Sequence, residues 1–231
     1  MELFNNPEFW VGLIKIIWIN IILSGDNAVV IALAARSLPA EQQRKAILFG
    51  SGAAVVLRIG LTVVAAKLLE LPYLQIVGGI LLLWIGAQLL HEDDEDAGED
   101  AEKAGLWVAI RTILVADLVM SLDNVITVAA AAKGSLTLLI LGLAISIPLV
   151  IFGSKLMIGL MNRFPIIILL GAALVGWVGG ETIASDVILH DWVEGQPWLH
   201  YLLPALGTGL VLLIGKLTAL RAASAQEPKP Q

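Results

Sequence analysis

Apolar runs of about 20 residues, long enough to cross roughly 30 Å of hydrocarbon as helix, recur along the whole chain. Seven candidate spans cover 9–35, 45–69, 72–90, 105–132, 136–160, 165–184 and 201–220. A segment in hydrocarbon must satisfy its own backbone hydrogen bonds, which leaves helices or closed barrels. Runs this long and continuous select helices. Composition agrees, with 58% hydrophobic residues and a mean hydropathy of +0.88, well above a soluble domain. The expected fold class is therefore an all-α membrane protein with seven transmembrane helices. The first and fourth spans exceed what a straight crossing needs, so tilt or a break is expected there. The opening "MELFNNPEF" lacks a positive n-region, so the first run reads as retained rather than as a cleaved signal peptide.

Charge is concentrated. Eight of the twenty acids lie in "HEDDEDAGEDAEK", residues 91–103, and account for more than the whole net charge of −6. Such a run reads first as a solvated loop and second as a collector of divalent ions. Nothing basic is clustered as a nucleic-acid surface would require, so nucleic acid is excluded as a partner. With no cysteine in the chain, disulfides, thiolate metal sites and a thiol nucleophile are excluded too. Arg36, Arg44, Lys45, Lys103, Arg163, Arg221 and Lys229 fall on one side of the seven spans, against Lys67 and Lys133 on the other. That bias places the N-terminus outside and the C-terminus in the cytoplasm.

The chain repeats itself. An offset of 97 superposes Asn20 on Asp117, Ser24 on Ser121, Asp26 on Asp123 and Asn27 on Asn124. An offset of 93 then superposes Gly60 on Gly153, Pro72 on Pro165, Gly78 on Gly171, Trp84 on Trp177 and Gly86 on Gly179. Each copy holds three spans, so the second enters the membrane from the opposite side. The expectation is two inverted three-helix repeats plus one C-terminal helix, a recurring transporter architecture with its site at mid-membrane. The layout is 1–90 for the first repeat, 91–104 for an acidic cytoplasmic loop and 105–184 for the second repeat. An outer loop and seventh helix fill 185–220, and 221–231 forms a disordered cytoplasmic tail.

Within each copy the polar residues share a helix face. Asn20, Ser24 and Asn27 lie at i, i+4 and i+7, as do Asp117, Ser121 and Asn124. Asp26 and Asp123 sit at the edge of these stripes, about 100° from the neighbouring Asn. An Asp in a membrane span costs about 2.5–3.5 kcal/mol on insertion scales, so it faces a partner, a cavity or a pathway. One reading is internal pairing, with Arg58 in the second span and with Lys15, Arg111 and Lys155 in others. The other is a cation site, in which Asp26, Asp117 and Asp123 supply charge and Asn20, Asn27 and Asn124 supply neutral oxygens. Ser24 and Ser121 add hydroxyls, and a helix break at Ser24-Gly25 adds carbonyls. A hard-oxygen set of this kind suits Mg²⁺, Ca²⁺ or Mn²⁺ rather than copper or zinc, and acids that shed metal could return protons. Glu181 reads first as a surface side chain and second as an extension of the site. Gly78, Gly79, Gly171, Gly176, Gly179 and Gly180 are expected to allow close helix packing. Trp10, Trp192 and Trp198 are expected at the membrane interface.

The stretches "NIILSGDNAVVIALAARSLP" and "ADLVMSLDNVITVAAAAKG", set in seven spans with a duplicated Asp-Asn, resemble the TerC family, closest to its short bacterial branch. The resemblance extends to about residue 220. It implies efflux of manganese as transported substrate, with no cofactor and no enzymatic activity, from a bacterial inner membrane. Asp26, Asn27, Asp123 and Asn124 match the family's motif positions, and Asp117 an acid preceding the second motif. Two other functions stay open from the residues alone. Export of another small solute such as an amino acid is one. The second, an intramembrane aspartyl protease built on Asp26 and Asp123, lacks the first glycine of a GxGD motif. The expected partners are a divalent ion and the bilayer; a homo-oligomer is compatible with the sequence and not required by it.

Overall fold

The structure, a computed structural model, describes residues 7–90, 99–132 and 135–225. In chain order the elements are α1 (Pro7–Leu23), α2 (Gly25–Ala35), α3 (Ala40–Leu68), α4 (Leu74–Gln88), α5 (Glu99–Ala132), α6 (Leu136–Arg163), α7 (Ile166–Ala184), α8 (His190–Glu194) and α9 (Leu199–Ala225). No strand occurs among the described residues.

Among the described residues five helices are long and apolar enough to cross a membrane by themselves, and α1 with α2, bent by 51° at their break, is long and apolar enough only as a pair. The third expected span differs. Residues 72–90 fold as the 15-residue helix α4, too short to cross a full hydrocarbon layer straight. Its start follows a turn: Tyr73, after Pro72, adopts a left-handed conformation at φ 66° and becomes the N-cap. Two boundaries also move. The end of the acidic stretch, read as loop to 104, is already the first turns of α5 from Glu99, and α9 carries helix through Ala225 into the expected tail. Residues 91–98 and 226–231 lie outside the described residues.

Burial explains the arrangement. In α2 every residue from Asn27 to Ala35 is buried, as suits a helix apolar on all faces and enclosed by others. By contrast, Ile14, Trp18 and Ile22 of α1, Trp84 of α4, Trp107 of α5 and Phe152 of α6 are exposed and form an outer surface suited to lipid. Trp10, Trp192 and Trp198 are exposed as well. Around α2 the core joins Ile47 of α3, Leu82 of α4, Ile113 of α5, Ile158 of α6 and Val175 of α7.

Contacts between helices pair off. The α1–α2 unit packs on α6 while α3 packs on α5; α2 touches α7 while α4 touches α5; and α4 lies against α7. Small residues set the tightest of these contacts. A Cβ at Gly79 would strike the Gly179 carbonyl, and one at Gly180 would strike the Leu203 carbonyl and the Pro204 backbone. A Cβ at Gly176 would lie 2.8 Å from the Gly207 carbonyl, so α7 and α9 approach backbone to backbone.

Candidate functional site

The break between α1 and α2 falls at Ser24, between Leu23 and Gly25. A helix end leaves carbonyls without intrahelical partners, and a helix start leaves N–H groups. Here the two ends meet inside the bundle. Asp26 occupies the first turn of α2, where the helix dipole favours a carboxylate, and its Oδ1 accepts the Asn27 N–H at 2.8 Å. Its side chain is half-buried.

Beside the break lies a small recess, lined by Asn20, Ser24 and Asn27 from the α1–α2 unit and by Ser51 and Arg58 from α3. Asp117 of α5 and Ser146 of α6 complete its polar wall. Pro148, inside α6, has no N–H to give the carbonyl four residues earlier, which loosens that helix beside the recess. Several of the lining groups lack hydrogen-bond partners among the described residues: Asn20 Nδ2, both polar atoms of Asn27, and Ser51 Oγ. Asn20 is 1% and Asn27 4% exposed. Buried polar atoms left this way cost about 1–3 kcal/mol each, so the recess is built to receive something polar.

Charge in the recess is centred on one ion pair. Arg58 donates from Nη2 to Asp117 Oδ1 at 2.6 Å, with the two residues 5% and 7% exposed. Its Nε donates to Ser121 Oγ at 2.9 Å and its Nη1 reaches Asn20 Oδ1 at 3.5 Å. Ser121 Oγ in turn donates to Asp117 Oδ2 at 3.2 Å. Of the two readings open for an intramembrane acid, pairing with Arg58 is therefore the arrangement of Asp117. Lys15, Arg111 and Lys155 are exposed and do not share it.

Among the sequence candidates, Asn20, Ser24, Asn27, Arg58, Asp117 and Ser121 come together. Asp26 stands next to the recess without lining it. Asn124 is half-buried and turns its amide back to the Met120 carbonyl at 2.9 Å, a bond within its own helix. Glu181 is exposed and does not line the recess. Asp123 lies on α5, and its side chain is outside the described residues. Among the described residues no three His, Asp or Glu side chains gather around one point; the recess itself offers one carboxylate with amides and hydroxyls.

Three residues of note escaped the sequence reading. Ser51 and Ser146 line the recess but are single hydroxyls in apolar helices, with no pattern to mark them. Asp186 is fully buried and accepts the N–H groups of Tyr73, Gln75 and Ile76 at 3.1–3.2 Å and of Ile188 at 3.0 Å. It caps α4 from the far end of α7. Only its Asp type, common at helix starts, hinted at this; its partners at the start of α4 are over a hundred residues away.

Residues 5–223 match the integral membrane protein TerC family. The uncharacterized membrane protein YjbE of Bacillus subtilis is 45% identical over 206 residues, covering 89% of this chain and 94% of YjbE. The UPF0053 inner membrane protein YoaE of Escherichia coli K12 is 29% identical over 209 residues, 82% of this chain but 40% of YoaE. The uncharacterized membrane protein YkoY of Bacillus subtilis is 27% identical over 231 residues, 91% of this chain and 69% of YkoY. No solved structure matches. A family match over nearly the whole length, on a chain with several membrane-length helices, makes this a multi-pass integral membrane protein. The chain belongs to the TerC family of integral membrane proteins.

Proposed function

We propose that this protein exports a divalent cation, Mn²⁺ first, through the recess at the α1–α2 break. The observation that carries the reading is the convergence there of Asn27 Oδ1 and Ser51 Oγ, buried without partners among the described residues, with Asn20 Oδ1 and the buried Asp117, both held by Arg58, beside a broken helix. Discontinuous helices at mid-membrane expose carbonyl ends able to coordinate a cation, and carboxylate, amide and hydroxyl oxygens extend that hard-ligand set. Asp117, Asn20 and Asn27 are the recess ligands in this reading. Asp26, Asp123 and Asn124 join them from the adjoining turns of α2 and α5. Manganese rather than calcium rests on the family alone.

The proposal also carries an orientation and a symmetry. The N-terminus lies outside and the C-terminus in the cytoplasm of a bacterial inner membrane, the location in YoaE's name. Seven crossings form two inverted repeats plus α9, with α4 locally thinning the bilayer to complete the third. The paired helix contacts support the symmetry, since exchanging the two repeats carries the α3–α5 contact onto that of the α1–α2 unit with α6. No catalytic step is assigned.

One observation favours a second reading, export of a carboxylate-bearing solute such as an amino acid: the unpartnered Asn20 Nδ2 and the N-terminus of α2 are both hydrogen-bond donors. A single experiment separates the two. Flux into proteoliposomes is measured for Mn²⁺, Ca²⁺, Mg²⁺, Zn²⁺ and amino acids, with wild type, Asp26→Asn and Asp123→Asn. Mn²⁺ flux lost in both variants is expected. Amino-acid flux without metal flux would replace the proposal with the second reading.

A further inference from the structure

The geometry points to Arg58 as an exchangeable counter-cation: its guanidinium holds Asp117 while the recess is without cargo, and releases it when a divalent cation enters. This rests on the reading of the chain as a divalent-cation transporter.

The three partners of the guanidinium are a carboxylate oxygen of Asp117, the hydroxyl of Ser121 and the amide oxygen of Asn20. These are the oxygen types a hard divalent cation takes. Arg58 thus places its hydrogens where such an ion would place its charge, and the two cannot hold the same oxygens together. Asp117 is never left as a lone buried charge, the costliest state available to it in a membrane. Arginine suits the role because its planar fork engages carboxylate and hydroxyl at once and stays protonated.

The displaced side chain has somewhere to go. Side chains on a helix lean toward its N-terminus, and in that direction Arg58 meets Ala54 and Ser51, four and seven residues earlier on the same face of α3. Both are small, both line the recess, and Ser51 Oγ is a buried hydroxyl without a partner among the described residues. It can accept a guanidinium N–H. Two positions for one cationic head are therefore built into α3, one on Asp117 and one over Ser51.

The test is Mn²⁺ binding to the purified full-length chain by isothermal titration calorimetry, with thermal unfolding as a check of folding. Arg58→Gln removes the competitor and is expected to tighten Mn²⁺ by about tenfold or more. In flux it should lower kcat while also lowering KM, because the carboxylate now releases cargo poorly. Asp117→Asn leaves the guanidinium unopposed and weakens binding by about a hundredfold; adding Arg58→Gln to it should regain at least about tenfold. Ser51→Leu keeps the charge pair whole but fills the second position, so weaker Mn²⁺ binding is expected from a stably folded protein. That variant carries the test if the charge variants fail to fold. Wild-type affinity in Arg58→Gln, no gain in the double variant over Asp117→Asn, or wild-type affinity in Ser51→Leu would each overturn the proposal. If wild type binds and carries Mn²⁺ in those cases, only the role of Arg58 falls. If wild type neither binds nor carries any divalent ion, the transport reading falls and takes this one with it.

Discussion

Arg58 and Asp117 meet at 2.6 Å inside the bundle, and the same guanidinium reaches Asn20, the residue that stands where the second repeat has Asp117. The inequality of the two sequence copies is thereby balanced. The second copy carries an extra carboxylate; the first carries an arginine where the 93-residue offset places Ile151.

Breaking this pair from one side leaves a buried charge without its partner. Asp117→Leu should cost about 3–5 kcal/mol, whereas Asp117→Leu with Arg58→Met should recover most of that loss, since a buried pair and an apolar replacement are often nearly equal in stability. Thermal unfolding in detergent, read as a double-mutant cycle, checks both values. Additive losses would mean that the two side chains do not depend on each other.

Asn27 makes the opposite prediction. Both of its side-chain polar atoms are buried without partners among the described residues, so Asn27→Leu relieves about 1–3 kcal/mol of desolvation and is expected to raise the unfolding temperature while abolishing flux. Such a trade of function against stability is common where a site stores unsatisfied groups. A destabilised Asn27→Leu would show that the amide serves the fold.

Asp186 ties the start of α4 to the end of α7 through four backbone N–H groups. Asp186→Ala strands those donors and should cost about 2–4 kcal/mol. Amide hydrogen exchange at Gln75 and Ile76 should speed up before that of the α5 core. Equal protection in wild type and variant would refute the cap.

Gly180 and Gly209 form a matched pair of controls. A methyl group at Gly180 meets the Leu203 and Pro204 backbones, whereas one at Gly209 meets nothing within 4 Å. Gly180→Ala should lose about 1–3 kcal/mol through overpacking. Gly209→Ala should gain up to about 1 kcal/mol from lower chain entropy in the unfolded state. Equal unfolding temperatures for the two variants would contradict the close approach of α7 and α9.

Much of this was legible in the sequence because membrane-length apolar runs and intramembrane polar residues are strong local signals. The helix break at Ser24, the small residues at the α4–α7 and α7–α9 contacts, and the polar stripe of Asn20, Ser24 and Asn27 all follow from residue type and spacing. What stayed hidden depends on tertiary placement. Apolar content alone extends the third span to 72–90, and only the turn at Tyr73, held by Asp186 from across the chain, sets the later start of α4. Helical spacing put Asn124 on a common face with Asp117, but its amide is drawn to the Met120 carbonyl, a competition that spacing does not reveal. The two serines of the recess are identified by what surrounds them.

Mn²⁺ uptake into proteoliposomes tests the central claim most directly, comparing wild type with Asp26→Asn, Asp123→Asn and Asn27→Leu at equal incorporation. Uptake by wild type well above that of empty vesicles, falling by about tenfold or more in each variant, is the expected result. Uptake at the empty-vesicle level in wild type, or at the wild-type level in all three variants, would contradict a cation path at the α1–α2 break.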